Sequence, residues 1–306
     1  MPNIWTHILF CEDVIDTVGK LHPFSQQIEN YMRLGAQGPD PFFYYNFWPW
    51  VKDEPVHQVG TSLHTSQCGT FLLNMIEAAK NKSKEVKAFV IGFVTHHVLD
   101  RNTHPYIHFR AGYEGNDHQR LEIQIDTLMM DKYHNLKTWK TPVYKEIDIG
   151  RKLDSRITRL LAALINKNYP SLRRGDDDTY IQKAYRDMLL ALKILSDPSG
   201  IKNKLLGNFI SAYSHQPIRN NVDYLNLKHT TWFHPATKEP SNKSFIELYN
   251  ESRVEGIDIV TEVLNYWEKG ASYSMEKLKD LIGNISYDTG KPLELGLVNK
   301  YSEPIV

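Results

Sequence analysis

The 306-residue chain reads as all-α: a multi-helix bundle built around a multinuclear metal cleft. Three observations predict this. Apolar residues recur with helical period nearly everywhere. No alternating run is long enough for a sheet. Histidines and carboxylates stand four residues apart on the apolar stripes, where one helix face can present both to the same ion.

The periodicity predicts a first helix over about residues 6–18, ended by Gly19, and a second over about 24–36, ahead of "QGPDP". A third is expected over about 62–80. Ser83 is a suitable N-cap for a fourth that ends near Asp100, and a fifth covers about 117–133. Between them, about 101–116, which includes Pro105, reads as a loop that carries His104. In the second half, Leu153, Ile157, Leu160, Leu161 and Leu164 form one apolar stripe. Ile181, Tyr185, Met188, Leu189 and Leu192 form another. Ser244 and Glu247 make a capping box for a helix that reaches about Trp267. Other long loops are expected over about 38–61 and 213–242, and the tail after Gly270 has no clear pattern. Residues 1–135 are expected to form a metal-binding helical core, and 136–306 a helical extension packed into the same domain.

Lys plus Arg and Asp plus Glu both number 36, so the formal charge is zero and nothing favours general nucleic-acid binding. The only cysteines, Cys11 and Cys68, are too few for a disulfide framework and read as small buried hydrophobes. The first residues, "MPNIWTHILFCEDVID", lack a basic region and are interrupted by acids, unlike a signal peptide. No apolar run approaches a membrane span. A soluble, cytoplasmic protein is expected.

The histidines decide the function class. His7 shares a face with Phe10, Cys11, Val14 and Val18, and His64 with Cys68, Phe71, Leu72 and Met75. His96 and Asp100 lie on a stripe with Phe89 and Phe93. His118 and Glu122 lie on one with Leu121, Ile125 and Leu128. A core-facing stripe normally excludes carboxylates, because an unpaired buried charge costs several kcal/mol or more. A divalent cation removes the conflict, since it takes imidazole nitrogen and carboxylate oxygen together. A lone His–Asp pair at this spacing is more often an ion pair, but so many together with His104 favour metal. Ligands without cysteine suit zinc, with iron or manganese as alternatives. His57, His97, His134, His215 and His229 read as surface or supporting residues, and His108 and His234 as the exceptions to watch.

Read in order, these residues resemble the zinc-dependent phospholipase C family, itself related to P1-type nucleases. "THILFCEDVIDTV" is similar to the family's first helix, with its metal-binding histidine at His7. Asp40 in "QGPDP", His64 in "GTSLHTS", the His96/Asp100 pair, His104 in "NTHPY" and the His118/Glu122 pair follow in the family's order. The resemblance covers about residues 5–130 and implies three zinc positions in an all-helical cleft. Asp40, His64, His96 and Asp100 would hold the first. His104, His118 and Glu122 would hold the second. His7 with a bridging Asp100 would hold the third, which family members complete with a processed N-terminal residue. With Met1 several residues ahead of the matching point, two firmly bound ions and a weaker third are expected.

The resemblance implies phosphodiester hydrolysis with Asp40 as general base, on a phospholipid or a soluble phosphodiester. A P1-type nuclease or nucleotidase, and a protein whose metals only brace its helices, are the alternatives. Seven aromatics in "PDPFFYYNFWPWV" follow Asp40 at once. They read as a loop packed over the core, or as an apolar or cation-binding wall for a lipid headgroup.

Overall fold

The computed structural model describes residues 4–19, 26–48, 50–51, 55–174, 177–269 and 275–306. Its axis is a 28-residue helix, Lys84–Ala111, most of whose residues are buried. It is buried nearly all round, polar residues such as His96, Asp100 and Arg101 included, so it lies in the interior. In chain order it is α5, preceded by α1 (Ile4–Val18), α2 (Gln26–Gly35), α3 (His57–Thr65) and α4 (Cys68–Ala79). It is followed by α6 (Asp117–His134), α7 (Ser155–Asn168), α8 (Thr179–Leu195), α9 (Ile201–Ile210), α10 (Phe245–Lys269) and α11 (Met275–Ile282). Among the described residues the only sheet is a two-residue antiparallel pair, β1 (Trp232–Phe233) with β2 (Pro240–Ser241). The fold is all-α, as the sequence predicts.

α2, α10, α1 and α6 pack around α5, and one hydrophobic core runs from Ile4 to Ile282. The predicted caps take part unequally. The Ser244 and Glu247 side chains bond reciprocally to each other's backbone N–H, closing the capping box at the start of α10. Ser83 stands at the N-cap of α5 but makes no side-chain cap bond; its hydroxyl accepts from Arg156 instead.

Two expected boundaries change. The helix expected over about 62–80 is two helices, broken where Gln67 adopts a left-handed backbone at φ 49°. The Tyr169 hydroxyl donates to the Ser66 carbonyl there, and the Gln67 amide to Asn168. His64 therefore belongs to a different helix from Cys68 and Phe71. The loop expected over about 101–116 is mostly helix, because α5 continues through Pro105 to Ala111. His104 is thus a helical residue. Proline at 105 removes one backbone bond, to the carbonyl of Arg101. The Arg101 side chain fastens that turn by donating to Glu255 and to the Leu281 and Ile282 carbonyls. The expected loop over about 38–61 holds a 3-10 turn, Asp40–Tyr44, and the start of α3. α9 and α11 are helices beyond those the pattern predicts.

α2 packs tightly along α5. A β-carbon on Gly35 would lie 2.0 Å from the Phe89 carbonyl oxygen, and one on Gly92 would lie 2.1 Å from the Met32 oxygen. Both partners are backbone, so neither can swing aside. This contact brings the chain after α2, with Ala36 and Asp40, against His96. Gly92→Ala is therefore expected to destabilise the protein by about 1–3 kcal/mol through overpacking. Urea unfolding measures this, and zinc affinity should fall with it.

Candidate metal centre

Three residues along α5 set the site. His96, Asp100 and His104 are each four residues apart, so they rise along one slowly turning row. Asp100 is the middle member, 2 % exposed. Its Oδ2 lies 3.0 Å from His96 Nε2 and 3.9 Å from His64 Nε2. Its Oδ1 lies 3.2 Å from His7 Nε2 and 3.3 Å from His104 Nε2. The two oxygens thus face different histidines, which is what a bridging carboxylate requires.

The other elements close around this row. The 3-10 turn presents Asp40, whose Oδ1 lies 3.4 Å from His64 Nε2 and 3.9 Å from His96 Nε2. α6 presents His118 and Glu122, 2.9 Å apart, with Glu122 Oε1 3.6 Å from His104 Nε2. α1 presents His7, stacked on His96 with ring centroids 4.1 Å apart. All eight residues named from the sequence meet here, and all but His96 line one cavity. Their donor atoms form three close trios: Asp40, His64 and His96; His104, His118 and Glu122; and His7, His96 and Asp100.

The donor set fits metal on two further grounds. His64 Nδ1–H donates to the Gly60 carbonyl at 2.8 Å, and His96 Nδ1–H to the Ala36 carbonyl at 2.9 Å. Each bond fixes the tautomer that leaves Nε2 a lone pair aimed at the cavity. Moreover, buried His96 Nε2 has no hydrogen bond, although a carboxylate oxygen lies 3.0 Å away. Buried polar atoms are normally satisfied, and such an orphan calls for a ligand.

The sequence pattern did not reveal several supporting residues. Asp126 is fully buried one turn beyond Glu122. It accepts from the Trp5 and Thr6 backbone N–H groups and the Thr6 hydroxyl, so a carboxylate of α6 caps α1 and sets the height of His7. His215 touches the same carboxylate at 3.1 Å. The i+4 spacing from Glu122 was the available signal for Asp126. His97, read as a surface or supporting residue, is fully buried and bonded to the Ile285 carbonyl. His234 is buried outside the cluster and bonded to the Thr289 carbonyl, whereas His108 stands at its edge with Asp288. Met1–Asn3, where a terminal ligand was considered, lie outside the described residues.

Of the aromatic segment, Phe42, Tyr44 and Tyr45 are buried, as expected for a packed loop. Phe43 tilts over His64, and Phe47, Trp48 and Trp50 form a stack that ends in an exposed Trp50.

The comparison with protein families matches residues 6–170, more than half of the chain, to Zinc dependent phospholipase C. The chain belongs to this family. No curated protein and no solved structure matches it significantly. Membership makes this zinc-dependent phospholipase C family chain a hydrolase with a zinc-type centre, in agreement with the donor set.

The histidines and carboxylates of the cluster shift one another's protonation. Burial pushes the Asp100 carboxyl up, but His104, His96 and His7 outweigh it and hold it well below the ordinary range. Glu122 is held down likewise by His118 and His104, and Asp40 by His96 and His64. Conversely, burial alone would lower His96 and His104, and the surrounding carboxylates raise both, His104 strongly. A histidine raised on folding stabilises the folded state below its unfolded pKa of about 6.5, and that stability is lost as pH rises through the folded value. Without metal, the protein should therefore lose thermal stability as pH climbs above neutrality, when the carboxylates lose their counter-charges. Zinc should stabilise it most in that range and release protons on binding. Thermal melts with and without chelator at pH 6 and pH 8.5 check this. A zinc increment that is smaller at the higher pH would contradict it.

Proposed function

We propose that the protein is a phosphodiesterase of the phospholipase C type, with phospholipid as its substrate class. The observation that carries this is the Asp100 carboxylate, which turns one oxygen to each half of a ring of histidines. A structural metal site is closed and usually rich in cysteine, whereas a cleft of shared histidines and carboxylates suits several adjacent ions that act on one phosphate.

Asp40, His64, His96 and Asp100 would hold one ion, and His104, His118 and Glu122 a second. His96 has only Nε2 to give, because Nδ1 is committed to Ala36. It therefore serves the first ion, and among the described residues the third position is left with His7 and Asp100. Two side-chain ligands hold zinc weakly, so we expect two firm equivalents and a third that exchanges. Bound zinc supplies Lewis acidity toward both the phosphoryl oxygens and water. Asp40, kept ionised by its two histidines, orients an attacking water and takes its proton. The leaving group departs on the opposite side of phosphorus, as in-line displacement requires.

A lipid substrate is supported by the walls next to the cleft. Phe43 lies over the ligand His64, and exposed Trp50 extends the same segment. A neighbouring groove has Ile4, Tyr44, Ile123, Val143, Leu192 and Leu195 on its walls, with polar residues such as Asp197 and His215 among them. Ile4, Tyr44 and Ile123 come from the elements that carry His7, Asp40 and Glu122. No helix among the described residues is long and apolar enough to cross a membrane, so lipid would be met at its surface. The cytoplasmic location expected from the sequence belongs to this proposal, and cell fractionation tests it.

His118→Ala should lose about one equivalent of zinc while the first ion stays, as elemental analysis after dialysis would show. A His96→Ala, His118→Ala double variant that kept full metal would place the ions elsewhere. Asp40→Asn should lower kcat by about 100-fold or more and change KM far less, because it keeps the shape but removes the base and weakens a ligand. A panel of phosphatidylcholine, nucleotide diesters and single-stranded DNA decides the substrate. Preference for either nucleic-acid substrate would reject the lipid reading.

A further inference from the structure

The chain leaves the family-matched region at residue 170, yet a later turn closes the metal centre. Residues 285–290, "ISYDTG", lie just after α11 and run along the side of α5 that carries the ligands. The Ile285 carbonyl bonds to His97, and the Tyr287 N–H donates to the His64 carbonyl at 3.1 Å. The Tyr287 ring packs on His64 and His97. Gly290, at φ 60°, comes so near α5 that a β-carbon would lie 2.1 Å from the Arg101 carbonyl oxygen. That is the carbonyl freed of its helical bond by Pro105, so the turn and the proline fit each other. The turn is also braced from within. Ser286 Oγ accepts from the Asp288 and Thr289 N–H groups, and Asn299 donates to the Asp288 carbonyl.

This bracing sets Asp288 beside the histidines. Its Oδ1 lies 3.6 Å from His104 Nδ1 and 3.7 Å from His108 Nε2. His104 Nδ1 is buried and makes no hydrogen bond, and neither nitrogen of His108 makes one. His64 and His96 each give their Nδ1–H to a backbone carbonyl. At His104 a carboxylate stands at that place instead. A histidine that binds metal through Nε2 must keep a proton on Nδ1, and an anionic acceptor there fixes the ring and raises its basicity.

We propose that Asp288 is a positioning residue for the second metal site: it holds the Nδ1–H of His104 so that Nε2 faces Glu122 and His118. The C-terminal region thereby completes a centre whose ligands all lie within the first 122 residues. The role rests on the metal-centre reading above.

The test uses the full-length protein loaded with zinc or cobalt. Chelator competition gives the affinity of each equivalent, and the cobalt absorption bands report the geometry at the metal. Asp288→Ala should weaken one equivalent about 10–100-fold, leave the first site unchanged and shift the cobalt bands. Asp288→Asn keeps the turn and an acceptor oxygen, so its loss should be smaller, with the protein as thermostable without metal as the parent. This variant keeps the role testable if Asp288→Ala folds poorly. Unchanged affinities and bands in both variants would overturn the role. Equal weakening of every equivalent in Asp288→Asn would also overturn it, since that is the mark of a merely structural residue. Loss of one whole ion that a His7→Ala variant retains, beyond those of the His104–His118–Glu122 and Asp40–His64–His96 sites, would overturn it too. It would make His104, His108 and Asp288 a cation site of their own. A parent protein that binds neither metal defeats the metal-centre reading and this role together.

Discussion

A carboxylate buried at the middle of the longest helix is the constraint from which the rest of the architecture follows. Asp100 has almost no solvent to lean on, and four histidines from α1, α3 and α5 approach its two oxygens. Burying such a charge is expensive unless partners surround it. The chain therefore brings its helices to α5 with polar groups already aimed. Asp126 sets the start of α1, Ala36 and Gly60 orient two imidazoles, and two glycines let α2 lie against α5. Each of these contacts serves packing and chemistry at once.

Much of this was legible in the sequence because helices convert spacing into direction. His96 with Asp100, and His118 with Glu122, are neighbours on helix faces whatever the tertiary fold. Their presence on apolar stripes exposed the conflict that a cation resolves. The order of the histidines and aspartates then matched the family. Where period and composition agreed, as in α1, α6 and α10, the predicted limits fall within a few residues of the observed ones.

What was not legible depends on partners remote in sequence. Pro105 reads as a helix breaker, because its lost bond is a local fact. The fastening by Arg101 to Glu255, Leu281 and Ile282 is not. The break between α3 and α4 rests on Tyr169 and Asn168, about a hundred residues away. Asp288 had no signal at all, since nothing in "ISYDTG" marks which helix it will meet. Asp126 is the exception. Its spacing from Glu122 was visible, but a carboxylate that caps another helix has the same spacing as one that binds a metal.

The row His96, Asp100, His104 and His108 has a consequence for how such a protein can change over time. On a rigid helix these positions are about 6 Å apart, so α5 acts as a ruler for the spacing of charges in the cleft. Deleting one residue between Asp100 and His104 would swing everything beyond it by about 100° and point His104 into the core. No nearby rearrangement could restore it, because α5 is packed on several sides. Exposed stretches such as 219–222 and 227–231, which carry no member of the row, can lengthen or shorten without that penalty. Descendants of this chain are thus free to reshape what surrounds the cleft, while the interval between its ligands on α5 behaves as a fixed unit of length.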